Sequence, residues 1–137
     1  MGNFLDKTTR ALGASANLRL LRQNITATNI ANAETPGFKA KKVDFEEALS
    51  RAIGHEGLGK MHVSDEEHFL MGQGAISRAR ADVYDNPDIN LSNDGNTVDL
   101  EKEMATLNEN TILYRAALQL INKKLGALRY AATEGSR

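Results

Sequence analysis

The side chains in this 137-residue sequence that could gather a metal ion are His55, His62 and His68, with Glu56, Asp65, Glu66 and Glu67 among them. The histidines lie seven and six residues apart, whereas a helical ligand pair needs a four-residue step and a zinc signature needs tighter clusters. They read as solvated loop histidines. Gly54, Gly57, Gly59, Gly72 and Gly74 share the segment, but no Gly-Lys-Ser/Thr follows, so a nucleotide-binding phosphate loop is not indicated. No serine occupies a nucleophile elbow. With no cysteine at all, a thiolate metal site, a disulfide framework and a Cys nucleophile are excluded. The sequence argues for a non-enzyme without metal or cofactor.

The side chains whose types and spacing do call for a role are amides. Residues 24–39 read NITATNIANAETPGFK, placing Asn24, Asn29 and Asn32 among small residues, with Ile30 between them, before Thr35, Pro36, Gly37 and Phe38. Asparagine is a poor helix former, so three in the last turns of a helix lower its stability unless their amides are used. Small residues allow close approach of another helix, and an Asn amide can bond a neighbour's backbone and set register. Capping of the helix end accounts for Asn32 alone. Asn24, Asn29, Ile30, Asn32, Thr35, Pro36, Gly37 and Phe38 are therefore read as an assembly segment.

Two long helices must position these residues. Phe4, Ala11, Ala14, Leu18, Leu21, Ile25, Thr28 and Asn32 recur at three- and four-residue steps, which predicts a helix from about Asn3 to Asn32. It should stop there, because Pro36 disfavours helix at the residue before it. The last segment is more regular still. Thr97, Leu100, Met104, Leu107, Thr111, Tyr114, Leu118, Ile121, Leu125 and Leu128 alternate steps of three and four, a heptad seam. Asn96 is the expected cap of that helix, with Asp99 at its third position. Leu100, Met104, Leu107, Tyr114, Leu118, Ile121 and Leu125 are read as assembly residues, and Ile112, Leu113 and Leu120 off the seam imply a further neighbour.

Between the helices the signals weaken. Val43–Ile53 predicts a short helix with Asp44 as cap and Phe45, Leu49, Ala52 and Ile53 inward. Residues 54–96 read as irregular, apart from a brief β-ribbon near Ile76–Tyr84. The expected fold is all-α: an elongated coiled-coil hairpin of N- and C-terminal helices with a largely irregular middle. Residues 1–33 with 97–131 form its inner assembly domain, 34–53 the turn and short helix, 54–96 the middle segment, and 132–137 a flexible tail.

Composition is consistent with this outline. Formal net charge is −1, against a nucleic-acid binder with a broad basic face. Charge is segregated: residues 1–42 hold seven Lys/Arg against two Asp/Glu, and residues 43–96 hold four against eleven. Such segregation offers complementary faces for packing subunits, or simply solvates the middle. With four Phe, three Tyr and no Trp, a monomeric core is thin. No run approaches the ~20 apolar residues of a membrane span. Asp6, Lys7, Arg10 and Arg19 interrupt any signal-peptide core.

Asn29 to Asn32 together with Thr35 to Lys39 resemble the N-terminal signature of the bacterial flagellar axial proteins, the rod, hook and hook-associated family. Asp44–Phe45 soon after the turn, Asn96 to Glu101 opening the final helix, and Asn110, Tyr114 and Leu118 resemble its short proximal rod members. Phe38 stands where the family more often carries Tyr, so any hydrogen bond from that hydroxyl is lost here. The resemblance implies a structural subunit of the flagellar basal body, spanning the periplasm and exported by the type III apparatus without a cleaved signal. Its implied partners are copies of itself, other rod proteins, the rod-base adaptor, the export-gate proteins and the surrounding membrane ring. It implies no small-molecule substrate. Another short rod protein of the family, or a soluble coiled-coil adaptor or export chaperone, are the competing readings.

Overall fold

Asp6 opens the first helix: its carboxylate accepts from the Thr9 backbone N–H and the Thr9 hydroxyl, both at 2.8 Å. That pairs one of the amides a helix start leaves open. The structure, a computed structural model, describes residues 6–55, 74–87 and 93–134. Helix α1 runs Lys7–Ala31 and ends at Asn32, whose side-chain amide donates to the Thr28 carbonyl at 2.8 Å. It stops where the Thr35–Pro36–Gly37 turn requires.

The chain then forms strand β1 (Lys41–Asp44), helix α2 (Glu46–His55), the single-turn helix α3 (Ala75–Arg78), strand β2 (Asp82–Asp85) and helix α4 (Leu100–Glu134). At about 1.5 Å per residue, the 35 residues of α4 extend about 50 Å. The fold is mostly helical, with two long terminal helices and one small sheet, in which β1 and β2 pair antiparallel with Val43 opposite Val83.

This corrects the reading of the middle in three places. The short helix starts at Glu46, because Val43 and Asp44 belong to a strand. Ile76 is a buried helical residue. The ribbon's second strand is β1, some forty residues upstream of β2. Around β1 the chain uses side chains in place of a third strand. The Asn29 side chain donates to the Lys41 carbonyl (2.8 Å) and accepts the Lys41 N–H (3.1 Å), as a strand neighbour would.

Leu18 of α1, Val43, Phe45, Leu49 and Ile76 make the buried cluster, with Ile25, Ile53 and several alanines packed against it. Phe45 is 2% exposed, and the Arg22 guanidinium lies 4.4 Å from its ring centroid. Arg22 fastens this unit to α1. It makes a two-pronged ion pair with Glu46 (2.6 and 2.7 Å) and donates twice to the Val43 carbonyl (3.0 and 2.6 Å). Burial pushes the Glu46 carboxyl up, but its bonds from Arg22 and from backbone N–H groups outweigh this and leave it below the usual glutamate range. A lysine cannot reproduce the forked geometry. Arg22→Lys is expected to lower stability by about 2 kcal/mol, the scale of losing bonds to a charged group at a half-exposed carboxylate. A fall in the urea unfolding midpoint, with helicity retained, checks it.

Helices α1 and α4 pack antiparallel. The pairing passes from Ala33 beside Asn96, through Arg19 beside Asn110, to Asp6 beside Lys124.

Candidate functional site

Part of the segment singled out for assembly, Asn32, Thr35, Gly37 and Phe38, meets residues 94–97 in one knot of backbone. Asn96 is 3% exposed, and its Nδ2 lies 2.9 Å from each of the Asn32, Ala33 and Thr35 carbonyl oxygens. These carbonyls lie at and just past the end of α1, and two of them also accept backbone bonds, Asn32 from the Thr35 N–H and Thr35 from the Phe38 N–H. Two amide protons serve three acceptors, so at least one proton is shared. The Asn96 Oδ1 accepts from the Val98 N–H at 2.8 Å.

Backbone bonds close the knot from both sides. The Gly37 N–H donates to the Asp94 carbonyl (3.0 Å), the Thr97 N–H to the Phe38 carbonyl (3.1 Å), and the Ala40 N–H to the Thr97 hydroxyl (2.9 Å). Gly37 and Gly95 sit in the left-handed region at φ 72° and 78°. A Cβ on Gly95 would lie 3.8 Å from the Gly37 Cα, so space permits a side chain there and conformation resists it, by about 1–2 kcal/mol. This clasp corrects one expectation. Asn96 does not cap α4, because Asp99 does: its Oδ1 accepts from the Lys102 N–H at 3.2 Å. The Asn96 amide is committed to the end of α1 instead.

From Asn96 onward, the residues tied to or buried against α1 recur at every seventh position: Glu103, Asn110, Ala117 and Lys124. Glu103 is buried beside Asn29. Asn110, 2% exposed, donates to the Arg19 carbonyl at 2.8 Å. Ala117 is buried, and Lys124 pairs with Asp6. The hydrogen bond from Lys124 and those from the Thr9 backbone and hydroxyl hold the Asp6 carboxyl down to about 2. Between these rungs Leu107, Tyr114 and Ile121 are half-buried.

The expected seam is therefore split. Leu107, Tyr114 and Ile121 lie on the face turned to α1, but Leu100, Met104, Leu118 and Leu125 do not; Met104 is 52% and Leu118 38% exposed. Ile112, Leu113, Leu120 and Leu128 are exposed as well. A heptad pattern states how apolar rows are spaced, not which of two adjacent rows the chain's own partner takes. Polar bonding made that choice here. In the N-terminal segment, Asn29 is 1% exposed and committed to β1, while Ile30 and Phe38 are half-buried. Asn32, Thr35 and Gly37 belong to the clasp. Asn24 and Pro36 are exposed; the Asn24 backbone carbonyl accepts the Thr28 hydroxyl. Sequence reasoning missed the Asn96 amide, Ala117 and the tie of Asn110. The seven-residue interval shared by Asn96, Glu103, Asn110 and Lys124 was the signal that could have found them.

Glu103 carries a measurable consequence. Burial raises its carboxyl above the usual glutamate range, against the opposing pull of Asn29 and Lys42. The folded state thus holds this proton more tightly than the unfolded chain, and stability falls as pH rises from the ordinary glutamate range through the folded value. Glu103→Gln keeps the shape and removes that charge. The variant is expected to unfold at higher urea than the parent at neutral pH, with the gap closing as pH falls to about 4. Parallel unfolding series across pH check this.

Of the potential metal ligands, His62 and His68 with Glu56, Asp65, Glu66 and Glu67 lie outside the described residues. Among the described residues no cluster of three metal-ligating side chains occurs, and no helix is long and apolar enough to cross a membrane.

Residues 11–39, which make most of α1 and the turn held by Asn96, match the family described as flagella basal body rod protein. Whole-chain likeness extends further. The chain is 39% identical over 114 residues to the flagellar basal body rod protein FlgB of Cereibacter sphaeroides, covering 83% of this chain and 84% of that protein. It is 36% identical over 124 residues to FlgB of Salmonella typhimurium, with 88% and 89% covered. To FlgB of Proteus mirabilis it is 32% identical over 136 residues, covering 96% and 97%. With the signature segment clasped to the start of α4, and likeness at this level over nearly the full length, the chain belongs to the FlgB family of flagellar basal body rod proteins.

Proposed function

We infer that this chain is a non-catalytic building block of the proximal rod, polymerising through α1 and α4, transmitting torque along them and lining the channel through which later components are exported. The α1–α4 pair serves as a coiled-coil hairpin within that assembly. Export by the flagellar type III apparatus, without a cleaved signal, delivers it. Its neighbours are copies of itself, other rod proteins, the rod-base adaptor, the export-gate proteins and the membrane ring, and it works without cofactor, metal or nucleic acid.

The observation that carries this reading is the outward apolar surface of α4. Met104, Leu118 and Leu125 repeat along one flank of the face packed on α1, and Leu113 and Leu120 repeat along the other, all exposed. Surface of this kind, recurring along a helix on both sides of an existing partner, fits lateral packing between subunits. Belonging to a family of basal body rod proteins supports the same reading.

Deleting the gene in its own bacterium and imaging purified basal bodies tests it. Membrane rings without a rod, restored by the wild-type chain, are expected. Complete rods and normal swimming in the deletion strain would refute the assignment.

A further inference from the structure

The face of α4 that packs on α1 is not its most apolar one. Taking 100° per residue, the row Glu103, Asn110, Ala117, Lys124 and the row Met104, Thr111, Leu118, Leu125 flank the shared row Leu107, Tyr114, Ile121 symmetrically. A rotation of α4 by about 50° about its own axis would turn the second flank toward α1 and the first away from it. Burial of apolar surface alone favours the second setting, which would cover Met104, Leu118 and Leu125. The structure has the first, with those three side chains exposed and an asparagine, a glutamate and a lysine directed at α1.

We propose that the seven-residue ladder of Asn96, Glu103, Asn110 and Lys124 is a rotational selector, which holds α4 in the less apolar of two packed settings and so keeps the Met104–Leu118–Leu125 row outward. Each rung has a partner on α1 or at its end. Asn96 bonds three carbonyls past its last turn, Glu103 meets Asn29, Asn110 donates to the Arg19 carbonyl, and Lys124 meets Asp6. The contacts of Glu103, Asn110 and Lys124 belong to one setting, since the rotation would carry these three rungs off α1 together, while Asn96 fixes the chain just ahead of the helix.

Asn110 is the most informative rung. It is 2% exposed, and its Oδ1 is buried without a hydrogen-bond partner. An apolar residue would avoid that penalty, so packing of the pair does not by itself account for an asparagine here. A single buried Asn is a known way for paired helices to choose one arrangement at the expense of stability. Ala117, the one small rung at the same interval, is itself buried.

The rotational setting stands on the geometry of the single chain; that the row kept outward serves polymerisation rests on the function proposed above. The test reads rotation in the isolated subunit, so its result is independent of whether copies assemble. The chain has no cysteine, which allows single reporters. Ala117→Cys and Leu118→Cys are compared for maleimide labelling rate under native conditions. In the parent background the thiol at 118 is expected to react several-fold faster than that at 117. In backgrounds carrying Asn110→Asp, which keeps the shape and removes the amide donor, the order is expected to invert. With Asn110→Ala, which removes the tie without adding charge, the two rates are expected to converge. An unchanged ratio in both backgrounds overturns the proposal, as do equal rates in the parent. Loss of protection at both sites with Asn110→Asp, while Asn110→Ala keeps the parental ratio, also overturns it. A selector decides between two packed settings, not between packed and unpacked.

Discussion

A subunit carrying Leu118→Asp is expected to fold, to be produced at normal levels, and to build no rod. Leu118 is 38% exposed in the single chain, so a carboxylate there meets water and leaves the Phe45 cluster untouched. Between packed subunits the same carboxylate would lose that water without a designated cation. Burying an unpaired polar or charged group costs several kcal/mol, and the penalty recurs in every copy along a polymer. Cooperative assembly cannot absorb it. The measurement is swimming in soft agar combined with imaging of basal bodies, and secreted subunit should still be detected. Leu118→Met conserves volume and apolarity and should swim normally. Normal swimming by the aspartate variant would remove α4's outward row from the assembly.

Phe45→Ala is expected to have the largest effect on the folded subunit itself. Phe45 is 2% exposed at the centre of the cluster that joins β1, α2 and α3 to α1, and both Arg19 and Arg22 lie over its ring, at 5.5 and 4.4 Å. Truncating a buried phenylalanine costs about 3–5 kcal/mol through lost transfer energy and the cavity left behind. The cation–π contacts add to this, and the Arg22 guanidinium loses the surface against which it is oriented. Against the 5–15 kcal/mol available to an ordinary domain, such a loss is about a fifth or more. Hydrogen exchange should show protection lost across β1 and β2 first, because their strands have few other apolar anchors. Phe45→Leu should cost less than about 1.5 kcal/mol. An unchanged unfolding midpoint for the alanine variant would mean that the cluster contributes little to the fold.

Local rules made several elements readable in advance. The stop of α1 near Ala31 follows from Thr35–Pro36–Gly37, and Phe45 and Leu49 are inward as the short helical pattern requires. The length and regularity of α4 were equally plain, in a stretch free of proline and with one glycine, Gly126. Strand β1 was not legible, because Lys41–Lys42–Val43–Asp44 offers a single inward apolar side chain and no alternation. Its order comes from Asn29 and Arg22, whose bonds reach it across 12 and 21 residues of sequence. The facing of α4 was hidden for a related reason. Apolar periodicity names a face only when there is one to name, and α4 has more apolar rows than one partner helix can cover. The bond that decides, Asn110 to Arg19, joins residues 91 apart. Of the candidate site, Asn32, Thr35, Gly37 and Phe38 stood out by type and position, but as residues for assembly and not as parts of a clasp within one chain. Their bonding to one another was invisible until Asn96 was seen beside them.

The meeting of Asn96 with the end of α1 also has a meaning for how such a chain can change over time. By holding the residues around 33–37 against those around 94–97, the clasp pinches the intervening chain into a closed loop with both mouths at one place. An insertion inside that loop, placed between the elements that pack on α1, leaves the clasp itself intact. Closing a flexible loop of twice the length costs only about 0.6 kcal/mol more. The paired helices can therefore stay constant while the enclosed segment acquires new material, so that one helical pair serves chains of different size.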